Sequence, residues 1–444
     1  MKTVELQEIG EIIRKIRKQR GLRLEDLADN NISPATISNI ERGVPHVSMD
    51  KALYLLDKLK IETSQIPFLL MEEENELRNV ELELEMVESL WKLKQYDKAM
   101  DKIEHLNLED NHPLAATAAY LKGKCFVKKG NLKRAERAYY NAIKLANQHS
   151  SNNDKNIEAA SFCELGICAY MQNDLEGAIQ FTNSAWGAFK DNGDRQYVRF
   201  VIYRNKAVYL DKLGDIHAGI RVIEEVWDSL HEVEEVETQL TFYWLRAEFH
   251  RKTGGDNEAL KYAKQGLDLA VKNNHSKYIF DFWTMLGCIY TSQNELDIAE
   301  SCFDTALSAK DILSDQRTLS TTFAKLGVLY VHQNKDSEAK EAIRQAITCA
   351  ENQNDLSQLT YALMVMGDLL KKNNEIREAI EYYQRALDFA QKHTLQRREY
   401  KLLFKLAECW HSLDEKEFQK CMLNMYQVKR LLKDKDGDFF DEMD

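Results

Sequence analysis

The sequence predicts an all-α protein in which a small N-terminal helical module precedes a long array of helix pairs. Three observations lead there. Proline is scarce: the 444 residues hold four, Pro34, Pro45, Pro67 and Pro113, and none follows Pro113. With 44% hydrophobic and 30% charged residues the chain can bury a core, so neither a turn-rich β-sandwich nor a disordered chain fits. Second, small residues recur at Gly123, Gly166, Ala207, Ala247, Gly287, Gly327, Gly367 and Ala407, the last six at intervals of 40. Third, twelve positions after seven of these stand Ala135, Ala178, Gly219, Ala259, Ala299, Ala339 and Ala379. Turn residues such as Gly130-Asn131, Gly214-Asp215 and Asn374-Glu375 lie between the two sets. Small residues at a crossing let two helix backbones approach, and a fixed period of this length marks stacked supersecondary units.

Taken in order, Glu8 to Gln19 places Ile9, Ile12, Ile13 and Ile16 at helical spacing and stops at Gly21. Leu24–Ala28 is a short second helix, and Asn30-Asn31 turns the chain. Ser33 and Pro34 open a third helix as N-cap and first helical residue, and Gly43 ends it. Asp50–Lys60 makes a fourth helix, and Thr63-Ser64 begins a linker. The stretch from Glu72 to Glu88 is rich in Glu yet keeps Leu77, Val80, Leu84 and Val87 at helical spacing, as a connecting helix would. The expected division is therefore residues 1–64 for the module, 65–80 for a linker helix, 81–430 for about eight to nine repeats, and 431–444 for an acidic tail.

Charge and cysteine place the chain in its setting. The net charge is −12, yet residues 1–62 carry 11 basic and 10 acidic residues. Within them Arg14, Lys15, Arg17, Lys18, Arg20 and Arg23 form a stretch with no acid among them, suited to a polyanion. The eight cysteines show no CxxC and sit in helical text, as buried thiols of a reducing cytoplasm do. The apolar run Ile66–Met71 is too short for a membrane span, and the charged N-terminus reads as no secretory leader. A cytoplasmic chain with no membrane partner is expected. Phosphate loops, HExxH, Gly-x-Ser-x-Gly and clustered His are absent from the sequence, so no enzyme, cofactor or metal is expected. The string Asp434 to Glu442 resembles a calcium loop only briefly, with its Gly misplaced, and reads as a frayed tail.

The string Leu24-Glu-Asp-Leu-Ala28, followed by Ile32-Ser-Pro-Ala-Thr-Ile37-Ser-Asn-Ile40-Glu-Arg-Gly43, resembles the Cro/repressor-type helix-turn-helix. The resemblance implies a third helix lying in the major groove of double-stranded DNA. By position it turns Pro34, Ala35, Ser38 and Asn39 toward bases and Ser33, Thr36 and Arg42 toward phosphates, with Arg14, Arg17 and Arg20 as electrostatic support. The family often has Gln where Leu24 stands. The repeats, with Trp283-Thr-Met-Leu-Gly-Cys-Ile-Tyr290 as first helix and Ala299 to Ala306 in the second, resemble the tetratricopeptide repeat over residues ~80–425. That implies a right-handed superhelix whose first helices line a concave groove. The period of 40 exceeds the family's 34 and no proline closes each repeat, so longer helices are expected. The groove positions give Glu164, Arg204, Asn205, Trp244, Glu248 and Arg251 as candidate contacts for a short linear peptide, and later units add Ala324, Lys325, Met364, Asp368 and Lys371.

A helix-turn-helix ahead of such an array resembles the RRNPP regulators (the Rap, Rgg, NprR, PlcR and PrgX group), nearest in layout to NprR. The resemblance implies a cytoplasmic transcription regulator of the quorum-sensing type. Such a protein would bind DNA and a short signalling peptide and act as a homodimer or higher homo-oligomer. Several members hold the peptide backbone with Asn side chains on first helices. Asn205 stands in that position here, while Glu164, Leu245, Met285 and Lys325 occupy the equivalent places. The alternative implied by Rap-type members is an array that sequesters or dephosphorylates a response regulator.

Overall fold

A computed structural model describes residues 6–44, 48–62, 65–148, 155–310, 317–393 and 395–436. Among them all regular structure is helical, save an isolated bridge between Asp29 and Ile32. The chain divides into two compact units, residues 1–172 with 183–196 and residues 173–182 with 197–444.

The first unit opens with α1 (Leu6–Gln19), α2 (Leu24–Leu27), α3 (Pro34–Glu41) and α4 (Met49–Lys58). Ile9, Ile12 and Ile13 are buried as their spacing anticipated, together with Leu27, Ile37, Ile40, Leu55 and Leu56, and Ile16 packs half-buried against this core. The left-handed residues Gly21 and Gly43 end α1 and α3 at φ 67° and 65°. Ser33 caps α3, its hydroxyl accepting from the Thr36 N–H at 3.2 Å with Pro34 in the first turn. Gly10 is there because α1 and α3 nearly touch. A Cβ at that position would stand 2.1 Å from the carbonyl oxygen of Ile40.

α5 (Ile66–Lys92) runs well past the expected end of the linker helix at residue 80. Nothing between Pro67 and Lys92 breaks it, and Leu84 and Val87 are buried, so its second half already belongs to the array. It pairs with α6 (Tyr96–Leu106); α7 (Ala115–Lys128) pairs with α8 (Leu132–Gln148), and α9 (Ile157–Met171) packs on α8. α10 (Leu175–Ala188) spans the division between the units.

The second unit continues with α11 (Tyr197–Leu213), α12 (Ile216–Trp227), α13 (Val236–Lys252), α14 (Asp256–Lys272), α15 (Ser276–Ser292) and α16 (Leu296–Ser308). It ends with α17 (Arg317–His332), α18 (Asp336–Asn352), α19 (Leu356–Lys372), α20 (Ile376–Lys392), α21 (Gln396–Trp410) and α22 (Glu415–Asp436). Helices of 17 residues joined by three-residue turns, as in α13 to α15, account for the period of 40. The first-to-second turns from α11 through α20 each hold one left-handed residue, at Gly214, Gly254, Asn294, Asn334 and Asn374 in register. The bonds Asn294 N to Thr291 O and Glu295 N to Tyr290 O, 3.1 and 2.9 Å, form a Schellman cap that a closing proline would not improve.

The recurrent small residues make room for rings. A Cβ on Gly367 would lie 2.5 Å from Cε1 of Tyr383, which is fully buried and donates its hydroxyl to Asp368 at 2.6 Å. The same offset seats Phe303 over Gly287 and, in the first unit, Tyr139 over Gly123. At Ala247 the corresponding partner is Ala263, and the ring arrives from the next helix instead, Phe282 on Gly266. In the second unit Arg397 reaches back to the turn after α11, its Nη1 3.3 Å from where a Cβ of Gly214 would be. Residues 431–436 extend α22 where a tail was expected, while Thr63, Ser64 and 437–444 lie outside the described residues.

Gly10→Ala should cost about 1–3 kcal/mol, because the clash is with backbone that cannot swing away. Hydrogen exchange is expected to accelerate in α1 and α3 and to stay unchanged in α19 and α20, since stability in a repeat array is local. Unaltered protection of α1 and α3 would refute the close approach.

Candidate functional site

On α3 the apolar residues Ile37 and Ile40 turn inward, which leaves a polar face. Ser33, Ala35 and Arg42 are exposed, and Pro34, Thr36, Ser38 and Asn39 are half-buried. Arg42 donates to the Asn39 Oδ1 at 2.6 Å and to the Ser38 carbonyl at 3.2 Å. That holds the Asn39 amide in place while its nitrogen stays unpartnered among the described residues. The Ser33 and Thr36 hydroxyls lie 2.9 Å apart, so the cap orders both.

The three arginines of α1 differ in their commitments. Arg17 donates Nε and Nη2 to the two Glu41 oxygens at 2.6 and 2.9 Å, and Nη1 to the Leu22 carbonyl at 2.8 Å. The two side chains are 13% and 6% exposed, and the Glu41 hydrogen bond holds the guanidinium above the ordinary arginine range. Glu41 sits on the inner face of α3 and requires a counter-charge there, so Arg17 is a structural residue and leaves the phosphate-facing set expected from sequence. Arg20 is exposed but anchors one nitrogen on the Leu59 carbonyl at 2.6 Å. Arg14 is half-buried with no partner among the described residues.

The expected groove residues fall in both units. Glu164, on α9 of the first unit, accepts the Tyr139 hydroxyl at 3.4 Å. The others lie in the second unit, on α11 and α13. Asn205 is 6% exposed, and its Oδ1 accepts from Arg204 Nε and Nη2 at 3.3 and 3.2 Å. Its Nδ2 has no partner among the described residues, a buried donor left open. Arg204 is steadied in turn by the Thr238 hydroxyl at 3.1 Å.

One period on, Glu248 takes both Arg251 nitrogens at 2.9 and 2.8 Å and Lys252 at 3.4 Å, and Lys252 also reaches Asp211 at 2.7 Å. Burial pushes the Glu248 carboxyl up. The Arg251 hydrogen bond, then the charges of Arg251, Lys252 and Lys325, outweigh it and hold the group below the usual carboxylate range. Trp244 is half-buried against the apolar clusters on either side of α13, so its ring is partly core. Sequence reasoning did not single out Lys252; its signal was the spacing of 41 from Asp211, one repeat and one residue. A cavity of about 610 Å³ opens elsewhere, among Trp227, Asp228, His231, Tyr243 and Asp268, and none of the expected peptide contacts lines it.

The free cysteines are buried apart from the half-buried Cys288 and Cys349. Among the described residues no group of His, Cys, Asp or Glu could hold a metal ion, and no helix is long and apolar enough to cross a membrane.

These elements define a class: an N-terminal helix-turn-helix DNA-binding domain followed by stacked tetratricopeptide helix pairs. The helix-turn-helix family matches residues 13–66, and tetratricopeptide-repeat families match 84–150, 280–311 and 360–393. No curated protein sequence matches the chain significantly. Among solved structures it is similar to a Rap protein complexed with competence and sporulation factor, at 15% identity and a TM-score of 0.59. It is similar also to the apo quorum sensor NprR from B. thuringiensis, at 15% and 0.57, and to apo RapI, at 14% and 0.56. Each likeness covers 80% of this chain and 99% of the other. Its structural neighbours thus include RRNPP members, at identities that show a shared fold alone.

Arg17→Ala should strip Glu41 of its buried counter-charge and cost about 3–5 kcal/mol, read as a lower melting temperature of the N-terminal module. Arg14→Ala should leave melting within about 0.5 kcal/mol, yet weaken binding to every duplex and flatten its salt dependence. A silent Arg17→Ala would overturn the structural assignment.

Proposed function

We propose that the protein is a transcription regulator that binds DNA as a homo-oligomer and senses a short linear peptide in the groove of its repeats. The observation that carries the peptide half is the open Nδ2 of Asn205. A buried amide donor without an acceptor costs free energy, and a peptide carbonyl supplies that acceptor. The DNA half follows from α3, whose exposed face offers small apolar and amide groups of a size to meet base edges. One such module covers a single half-site, so two copies reading related half-sites are expected. NprR, which shares the fold at 14% identity and a TM-score of 0.50, has been solved with its cognate peptide NprX. Capture of a response regulator is the other reading, and the DNA-binding domain at the N-terminus favours the first.

Selection from random duplexes should return A·T-rich half-sites. Pro34 and Ala35 suit thymine methyls, and Asn39 can bond adenine with both amide atoms once Arg42 releases its oxygen to a phosphate. Asn39→Ala should relax one base position by about 1–3 kcal/mol; sites dominated by G·C pairs would contradict this.

For the groove, a peptide of roughly five to ten residues, retained by the full chain from a random synthetic library, is titrated calorimetrically. Asn205→Ala should lose about 5- to 150-fold in affinity. If operator DNA changes the affinity for peptide, peptide must change the affinity for DNA by the same factor. Equal affinity of wild type and variant would reduce Asn205 to a packing residue.

A further inference from the structure

Asn205 is not the sole donor that stands open on the first helices of the second unit. Three periods along, its equivalent is Lys325 on α17. The Lys325 ammonium is half-buried and lies 5.2 Å from the centre of the Tyr361 ring on α19. Among the described residues it forms no ion pair. Glu248 acts on it from α13, but the Glu248 oxygens are already taken by Arg251 and Lys252. Arg398 on α21 acts on the same Tyr361 and is likewise without an ion pair among the described residues; it donates to the Ser357 carbonyl. Asp355 bears on it while capping α19, its Oδ1 accepting from the Gln358 N–H at 3.0 Å.

Acidic residues outnumber basic ones here, 72 to 60, so counter-charges are plentiful. Two sheltered cations nevertheless meet α19 one turn apart, Lys325 at the Tyr361 ring and Arg398 at the Ser357 carbonyl, and neither forms an ion pair among the described residues. A cation withdrawn from water without a partner is costly, and binding an anion removes that cost. The surrounding charges agree. Arg251, Lys252, Lys325 and Arg398 face Glu248, Asp211 and Asp355, so cations outnumber the carboxylates that bear on them.

We propose that the groove ligand delivers a carboxylate to Lys325 and Arg398, seated against the Tyr361 hydroxyl. The protein thereby selects peptides with an acidic side chain or a free C-terminus at that point. This rests on the peptide reading above and adds the charge of the ligand to it. A carboxylate has lone pairs for several donors at once, and the lysine ammonium, the arginine fork and the phenol supply them from three separate helices.

The experiment passes two random heptapeptide libraries, one with free C-termini and one amidated, over the immobilised full chain, and sequences what is retained. Individual retained peptides are then titrated on wild type, Lys325→Met, Lys325→Arg and Arg398→Met, each checked for wild-type melting. Expected is enrichment of carboxylate-bearing peptides, with affinity reduced roughly 10- to 100-fold by Lys325→Met and largely restored by Lys325→Arg. Enrichment confined to the free-terminus library would identify a terminal carboxylate, and Asp or Glu enriched in both libraries would identify a side chain; either supports the proposal. Retention without any preference for carboxylates, or wild-type affinity in Lys325→Met, would overturn it and leave the peptide reading standing. Should Lys325→Met melt early, Arg398→Met and the library preference of the wild type decide. No retained peptide from either library would overturn both readings.

Discussion

The array depends on a large side chain of the second helix resting on a residue without bulk in the first. Tyr383 over Gly367 shows the constraint most fully: the ring fills the space a Cβ would take, and its hydroxyl is satisfied by Asp368 on the helix it packs against. This fixes how closely the two helices approach and which way the first is rotated. Once that rotation is set, the residues on the remaining face of each first helix are set too. Asn205, Glu248, Arg251 and Lys325 owe their positions to buried packing residues, Ile343 against Gly327 for Lys325, with which they share no chemistry. The left-handed residue in each turn then returns the chain after the same number of residues, and the register carries forward from α11 to α21 without drift.

The N-terminal module solves a related problem at smaller scale. Here the helix to be positioned is α3, and two contacts with α1 hold it: the backbone approach at Gly10 and the Arg17–Glu41 pair at its end. One contact is steric and short in range. The other is ionic and directional, with both guanidinium edges used. Together they fix the C-terminal end of α3 from its inner side, so the outer face beyond the Ser33 cap can carry groups chosen for what they meet in solution.

Much of this was written plainly in the sequence. The isoleucine spacing of α1, the Ser33-Pro34 start, the glycine stops and the 40-residue recurrence are local signals, and local signals survive without coordinates. Tertiary pairing does not. Arg14, Arg17 and Arg20 look alike in a string of basic residues, and only the fold reveals that Glu41, 24 positions away, claims one of them. The spacing of Leu84 and Val87 was legible in the Glu-rich stretch, but not that one unbroken helix from Ile66 to Lys92 would join the linker to the first repeat. Asn205 was found by position, yet the engagement of its oxygen by Arg204 and the vacancy at its nitrogen depend on a side-chain rotation that no spacing records.

The three-residue turns also govern how such a molecule comes into being. In α13 to α20 each helix touches its immediate neighbour or the next but one, so nearly all contacts span a short stretch of chain. Low contact order favours rapid ordering, and a chain emerging from the ribosome can add one pair at a time to a seat already built. Arg397 against the Gly214 turn is the exception, because it joins segments more than four repeats apart. That contact cannot form until α21 has been synthesised, which makes it among the last closures in the assembly of the second unit.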